Sequence, residues 1–298
     1  MPLPAEVMGT GLEHRSVSQV TSFAQCAEAY RLSRVAKAPA KPAAWFTHGS
    51  AYHSAIEQYE NSNRELTLTE LEDHFKAYYW SEIDEAKAKW PDENDWLTGG
   101  RKKGFQDVAD REVIGLWQIK DYLRFADETK DIWRILPLGD GKIATEVKFN
   151  LTLGGVNVMG FIDQIRQYRN GALEVADLKT GTSTPVAMQL GVYAHVVQQN
   201  TGIWPQTGVF VKAGRPASAK VAEKPTKDVP HSLDEWTEEL LGSMFKDMDR
   251  MDKLGLFLPN PQDGCERTCT VSEHCRIKGY GPGRAEFATI RTRTRQAA

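Results

Sequence analysis

Two carboxylates and a lysine in the middle of the chain carry the strongest chemical signal. Asp163 is predicted to end one strand, and Asp177 and Lys179 lie on the next, after a turn at Asn170-Gly171. Residues two apart on a strand share a face, and strands paired across the turn bring both carboxylates to one end of the sheet. Carboxylate oxygens suit Mg²⁺ or Mn²⁺, and an adjacent lysine can orient a water or neutralise charge on a phosphodiester.

The four cysteines indicate a second metal centre. Cys265, Cys269 and Cys275 follow one another with spacers of three and five residues, and Cys26 lies near the other end of the chain. No secretory signal and no membrane-spanning apolar run are visible, so we expect a reducing cytoplasm, which favours ligands or plain thiols over disulfides. With His274 adjacent, the residues alone leave an iron–sulfur cluster, a zinc site and unligated thiols open.

Composition narrows the function classes. The chain has 298 residues, of which 41% are hydrophobic and 26% charged, as expected for a globular protein with a sizeable core. The formal net charge of −3 argues against a passive DNA-coating protein, whereas an enzyme that contacts a few phosphates needs no large positive charge. Neither G-x-S-x-G nor H-E-x-x-H occurs, so serine-hydrolase and zinc-protease chemistry lack support.

Helical periodicity dominates the first 130 residues. Apolar side chains recur at helical spacing from Val20, and Ser18 is a candidate cap. Thr67 and Glu70 form a predicted capping box. The predicted helices cover 20–30, 49–60, 67–90 and 103–125.

After residue 140, the spacing of apolar residues changes from the helical period to the two-residue period of strands. Gly154-Gly155 predicts a hairpin, and Pro185 is predicted to open a helix before the last strand. Ser232 and Glu235 predict a capping box for a helix that ends near Gly255. The predicted strands cover 142–149, 156–168, 172–180 and 207–213, and residues 214–230 are predicted to form a loop.

Four motifs together resemble the RecB-like PD-(D/E)xK nuclease family, which includes the CRISPR-associated adaptation exonucleases and the AddAB-type recombination nucleases. They are Gly160-Phe161-Ile162-Asp163, Asp177-Leu178-Lys179-Thr180, Gln189-Leu190-x-x-Tyr193 and, upstream, Gly49-Ser50-Ala51-Tyr52-His53. The resemblance implies an α/β fold with a restriction-endonuclease-like core, in which a mixed central sheet is flanked by helices.

The same resemblance implies roles for individual residues. His53, Asp163, Asp177 and the backbone carbonyl of Leu178 would hold the catalytic Mg²⁺ or Mn²⁺, and Lys179 would be the catalytic lysine. Gln189 and Tyr193, one helical turn apart, would face the active site and steady the lysine, the water or the DNA backbone. Two alternatives stay open: Tyr193 fits a core position equally well, and Glu146 is either an additional acid near the metal or an exposed strand residue.

The cysteines are similar in placement to those of RecB-like iron–sulfur nucleases, with one ligand before the nuclease core and three after it. The resemblance implies a [4Fe–4S] cluster on Cys26, Cys265, Cys269 and Cys275 that joins the two ends of the chain. The family more often has two residues, not three, between the first two of the later cysteines. The cluster would be structural, since phosphodiester hydrolysis moves no electrons, and zinc remains the chief alternative.

One nuclease domain is expected over residues 1–298. Its predicted parts are a helical part at about 16–130, a catalytic sheet core at about 140–213, a C-terminal helix with the cysteine cluster at about 231–280, and a basic tail at 281–298.

The predicted activity is metal-dependent hydrolysis of DNA from single-stranded ends, in recombination or repair, CRISPR spacer processing or phage DNA metabolism. Arg101, Lys102 and Lys103 are candidate DNA contacts. No Walker A motif is present, so a separate helicase or recombination or CRISPR adaptation proteins are the expected partners, with no membrane. The alternatives are a non-catalytic DNA-binding subunit and a zinc-stabilised endonuclease. The expected location is the cytoplasm of a bacterial, archaeal or phage-infected cell.

Overall fold

The described part of the chain covers residues 14–139, 141–181, 186–218 and 221–278 of a computed structural model. The predicted helix start at Pro185 and the basic tail at 281–298 lie outside these ranges. The helices are α1 (Val17–Gln25), α2 (Ala27–Tyr30, continued by a π-helical turn at Arg31–Val35), α3 (Ala44–Asn61), α4 (Leu68–Lys89), α5 (Gly104–Thr129), α6 (Met188–Thr201), α7 (Glu238–Lys253) and α8 (Cys265–Thr268).

The first half of the chain is helical, as predicted. Helices α3, α4 and α5 pack on one another. The capping box is confirmed: the Thr67 hydroxyl accepts from Glu70 N–H, while the Glu70 carboxylate accepts from the backbone N–H of Thr67. The cap predicted for α1 is wrong, because Ser16, not Ser18, accepts from the N–H of Gln19.

The second half builds one mixed sheet. Its order is β1-β3-β4-β5-β6, and β2 also pairs with β3. Among the strands of the described ranges, only β4 and β5 run parallel, and α6 connects them, whereas the other pairs are antiparallel. The strands are β1 (Trp133–Ile135), β2 (Thr145–Leu153), β3 (Val156–Tyr168), β4 (Leu173–Lys179), β5 (Thr207–Lys212) and β6 (Lys227–His231).

Two predictions about the region after β5 are wrong. Residues 214–230 are not all loop, because β6 pairs with β5 at the sheet edge, where Pro230 is tolerated since its missing N–H faces no further strand. The helix predicted from a Ser232–Glu235 box begins only at Glu238, where Thr237 accepts from Leu240 N–H. Its end near Gly255, which has φ +68°, is as predicted.

The hairpin between β2 and β3 turns at Gly154-Gly155, as predicted. Both glycines have positive φ, and a Cβ on Gly154 would also meet the backbone of Gly242 in α7. This turn therefore requires glycine for its conformation and for its contact with the neighbouring helix.

One continuous hydrophobic core joins the helical half to the sheet. A second, much smaller cluster contains Leu32, Ala38 and Val271, with Cys269 and Cys275 packed against it. Buried Arg15, near the start of the described chain, pairs with Asp249 and Asp252 of α7 at 2.7 and 2.6 Å. Among the described residues, no helix has the length and apolarity needed to cross a bilayer.

Candidate active site and cysteine cavity

The candidate active site lies where β3 and β4 separate. The two strands pair only as far as Gln164 opposite Ala176, after which β4 continues beside β5. One step further, the Asp163 carboxylate accepts the N–H of Leu178 at 2.7 Å. Asp163 thus lies inside β3 and does not end it, contrary to the sequence prediction. Its side chain replaces the next inter-strand hydrogen bond and opens a fork in the sheet.

His53 faces this fork from α3. Its Nε2 lies 3.0 Å from the carbonyl oxygen of Leu178, and its Nδ1 lies 3.5 Å from Asp163 and 3.8 Å from Glu146. Burial alone would lower the pKa of His53, but the charges of Asp163, Glu146 and Asp177 outweigh it and raise the pKa to about 9. These carboxylates therefore favour the protonated imidazole.

Glu146 completes a set of three metal donors. Donor atoms of His53, Glu146 and Asp163 all lie within 4.8 Å of one another, with two oxygens and one ring nitrogen among them. Glu146 also has φ +45°, a left-handed conformation that is unfavourable for a residue with a side chain. Asp177 is not in this set, and its carboxylate faces Lys179.

Lys179 is held by two other site residues. Its Nζ lies 2.5 Å from Asp177 and donates to the side-chain oxygen of Gln189 at 3.2 Å. Gln189 in turn donates to the Tyr193 hydroxyl at 2.7 Å, and that hydroxyl lies 3.5 Å from Asp177. Tyr193 is therefore both buried and hydrogen-bonded to the site. Helix α6 thus fixes the direction in which the lysine points.

The site concentrates negative charge. Burial, with the nearby charge of Asp177, raises the pKa of Asp163 to about 7. Burial also raises the pKa of Asp177, although Lys179 opposes this shift. A bound cation would relieve both effects, because it favours the ionised carboxylates.

A cleft adjoins the fork. Its lining includes Gln189 and Tyr193 of α6 and Lys148 and Phe161 of the sheet. Phe161, two residues before Asp163, is 52% exposed. The cleft therefore offers a cation and an exposed ring beside the carboxylates.

The candidate DNA contacts Arg101, Lys102 and Lys103 lie apart from this site. They are exposed residues before α5, and Lys102 pairs with Asp110 at 2.6 Å. Within the described ranges they make no hydrogen bond or ion pair with the fork residues.

The four cysteines line one small cavity, together with the segment Pro259–Pro261. All four are free thiols. Burial raises the pKa of Cys269, with smaller contributions from the other three cysteines. Each sulfur accepts a backbone N–H, from Asn260 to Cys26, Gln262 to Cys265, Val271 to Cys269 and Ile277 to Cys275.

His274, the residue that made a Cys₃His zinc site conceivable, does not line the cavity. Its Nε2 lies 3.0 Å from the carbonyl oxygen of Pro39. Further contacts join the same two segments: the N–H of Lys41 donates to the carbonyl of Thr270 at 2.8 Å, and the Lys41 ammonium pairs with Glu273 at 2.6 Å. These contacts fasten the C-terminal cysteine segment to the region after α2.

Comparison with known proteins identifies the family of this chain. The family model described as PD-(D/E)XK nuclease superfamily matches residues 14–276. The Gene 69 protein of Mycobacterium phage D29 is 33% identical over 268 residues, which cover 88% of this chain and 96% of that protein. The Gene 69 protein of Mycobacterium phage L5 is 32% identical over 289 residues, which cover 90% and 98%. Among solved structures, SSO0001 matches with a TM-score of 0.33 and 14% identity, over 67% of this chain and 82% of that one.

Proposed function

Because the chain belongs to the PD-(D/E)XK nuclease superfamily, whose members hydrolyse phosphodiester bonds with divalent metals, we propose that it is an exonuclease that degrades DNA from single-stranded ends. The observation that carries this proposal is the fork between β3 and β4. It brings His53, Asp163, Asp177 and Lys179 together beside an open cleft.

The residues at the fork fit Mg²⁺ or Mn²⁺. Asp163 and Glu146 offer hard oxygens and His53 offers a ring nitrogen, and the carbonyl of Leu178 and the carboxylate of Asp177 are adjacent. A divalent metal held there would supply Lewis-acid chemistry and lower the pKa of a bound water. The carboxylates that raise the pKa of His53 are the same groups that would hold the metal.

Lys179 is the charge-neutralising group. Gln189 and Asp177 hold its ammonium at the site, so it needs no reorganisation to face a developing negative charge. The Gln189–Tyr193 pair positions this lysine. Because Tyr193 donates toward Asp177 as well, the same pair orients the second carboxylate.

The cleft favours an unpaired strand. Bases of a single strand can stack on an exposed aromatic ring, and such stacking tolerates any base sequence. Phe161 offers that ring next to Asp163, and Lys148, its partner on β2, offers a cation for a phosphate. The origin of two relatives in phages favours phage DNA metabolism in an infected cell, with a separate helicase to unwind duplex DNA.

A cleavage assay tests the activity. The protein, purified without oxygen and supplied with Mn²⁺, is incubated with end-labelled linear single-stranded DNA or with closed circular single-stranded DNA. We expect degradation of the linear substrate only. Lys179→Ala should be inactive, whereas Lys246→Ala, which removes an exposed lysine of α7, should retain activity.

Other outcomes would replace the proposal. Cleavage of the circle would identify an endonuclease. Equal cleavage by wild type and Lys179→Ala would show that the activity does not depend on this site. DNA binding without cleavage by either protein would favour the non-catalytic subunit.

We also propose that the cysteine cavity holds a structural [4Fe–4S] cluster. Four sulfurs around one cavity, each accepting a backbone N–H, suit a thiolate-ligated cluster. Zinc requires tighter packing, because four thiolates at Zn–S distances of about 2.3 Å lie about 3.8 Å apart. Among the described residues, the group of metal donors that lie within 4.8 Å of one another consists of His53, Glu146 and Asp163 and contains no cysteine.

Metal analysis and the absorption spectrum test the cluster. We expect a brown protein with about four irons per chain and little zinc, and loss of the colour in Cys26→Ser. One zinc per chain in a colourless protein would establish the alternative.

A further inference from the structure

Three lysines form a row across the sheet next to the active site. In the parallel pair β4–β5, Lys179 is the register partner of Lys212, and in the antiparallel pair β5–β6, Lys212 is the partner of Lys227. Register partners point to the same face, so all three side chains leave the same face of the sheet. With strand spacings of about 4.8 Å, the row spans about 10 Å. It begins at the site lysine and ends at the sheet edge.

The face of this row is the active-site face. Asp177 and Phe210, two residues before Lys179 and Lys212, are themselves register partners, and the Lys179 ammonium lies 5.7 Å from the centre of the Phe210 ring. The carboxylate and the row of lysines therefore occupy adjacent positions on one surface. Lys212 is partly exposed and Lys227 is exposed, so a solute can reach the outer part of the row.

The edge-strand role accounts for only one of the outer lysines. Lysine on an edge strand commonly prevents pairing with another sheet, and Lys227 on β6 fits that role. Lys212 does not, because β5 lies between β4 and β6. Like charges directly opposite each other also destabilise a sheet. A row of three lysines is therefore better explained by an anionic ligand than by sheet stability.

The chain between β5 and β6 carries two further cationic residues. Arg215 and Lys224 face each other there and exchange two backbone hydrogen bonds of 2.7 and 2.9 Å. Helix α5 anchors this segment: Gln118 donates to the carbonyl of Gly214 at 2.8 Å, and Asp121 accepts the N–H of Thr226 at 2.5 Å. The base of the segment is thus fixed relative to the sheet.

We propose that the row Lys179–Lys212–Lys227 binds consecutive phosphates of the DNA strand and guides it between the sheet edge and the fork. The proposal rests on the proposed nuclease function for the identity of the polyanion. Three ammonium groups in a line match a chain of phosphates, whereas a single small anion would occupy only one of them.

The test compares DNA binding with cleavage in Lys212→Gln/Lys227→Gln. Binding of a dye-labelled single-stranded oligonucleotide is followed by fluorescence anisotropy at several salt concentrations, without divalent metal. We expect about tenfold weaker binding, with a slope of log K against log[salt] that is smaller by about 1.4, because each lost contact to single-stranded DNA removes about 0.7. Cleavage at saturating DNA should change little, since Lys179 is retained.

Two further variants control for charge and for folding. Lys76→Gln/Lys246→Gln removes the same charge from α4 and α7 and should bind DNA as the wild type does. Lys212→Arg/Lys227→Arg keeps the charge and should restore binding. Binding by the Gln pair with an unchanged salt slope would overturn the proposal. If the wild type binds through the row but never cleaves, the row stands and the nuclease function fails.

Discussion

The fork at β3 and β4 and the cysteine cavity are both candidate metal centres, yet the chain builds them differently. The fork residues are held by the sheet, by α3 and by α6, all of which belong to the large core. The cysteine cavity joins a short N-terminal helix to a C-terminal segment, over a cluster of three buried apolar residues. The first centre is positioned by the fold, whereas the second, with the cluster that we propose for it, would itself join the two ends of the chain.

This difference separates the expected roles of the two metals. At the fork, burial and the neighbouring Asp177 disfavour the ionised form of Asp163, so a substitution there should affect activity more than stability. Around the cysteines, little apolar surface is buried, so loss of the ligand set should affect stability first. The following predictions test that contrast.

Asp163→Asn should have the largest effect on activity. It removes a metal donor and should reduce cleavage at least about 10³-fold, since the metal provides the main electrostatic stabilisation. The Tm of the metal-free protein should stay equal or rise, because the folded-state pKa of about 7 means that the ionised carboxylate destabilises the fold at neutral pH. Initial rates of cleavage of end-labelled linear single-stranded DNA and thermal melts of the protein without added metal measure the two effects. A large drop in Tm would contradict the contrast.

Cys269→Ser should show the opposite pattern. The colour should disappear, and Tm should fall by more than about 5 °C, since about 2–4 °C accompany each kcal/mol in a protein of this size and a ligated cluster contributes several kcal/mol. Cleavage at low temperature should remain measurable. Ser272 lines the same cavity but carries no thiol, so Ser272→Ala serves as the control. An unchanged Tm would contradict a structural role for a cluster in this cavity.

Mn²⁺ affinity should increase with pH. The pKa values of His53 and Asp163 are raised to about 9 and about 7, so protons must leave both groups before the metal binds. Affinity should therefore rise at least about tenfold between pH 6 and pH 8. Titration calorimetry at each pH measures this, and His53→Gln should weaken the dependence. A pH-independent affinity would exclude these two residues as ligands.

Tyr193→Phe should have the smallest effect. It removes the hydroxyl that contacts Gln189 and Asp177 but keeps the buried ring, so we expect a loss of activity of about tenfold or less. Mn²⁺ affinity and Tm should change little. A shift in the pH–rate profile would mark a positioning role that simple packing does not explain.

Much of the fold was predictable because local signals and tertiary structure agree. The Thr67–Glu70 box and the Gly154-Gly155 hairpin are determined by hydrogen bonds and φ angles within a few residues. The start of α7 was not predictable in this way. Both Ser232 and Thr237 are suitable caps, and Trp236, whose side chain occupies the space beside Gly191 of α6, lies outside the helix.

The site residues also divide into those whose positions local sequence predicts and those whose positions it does not predict. Counting back from Gly154-Gly155 places Glu146 opposite Asp163, so its position was available from the sequence. The second turn was harder: residues 169–171 form a three-residue loop with Gly171 at φ +85°, and a two-residue turn at Asn170-Gly171 shifts the register by one. The proximity of Cys26 to the other three cysteines came from resemblance alone, because no local pattern relates residues over two hundred positions apart.

Leu178 offers a reporter for the fork. Its N–H is donated to Asp163 and its carbonyl oxygen lies 3.0 Å from His53, the two residues that a cation would engage. A metal ion that binds them changes both neighbours of this one residue. In a protein labelled with ¹⁵N and ¹³C at leucine, the amide and carbonyl resonances of Leu178 should therefore move together during a Mg²⁺ titration. They would give the occupancy of the site without any substrate.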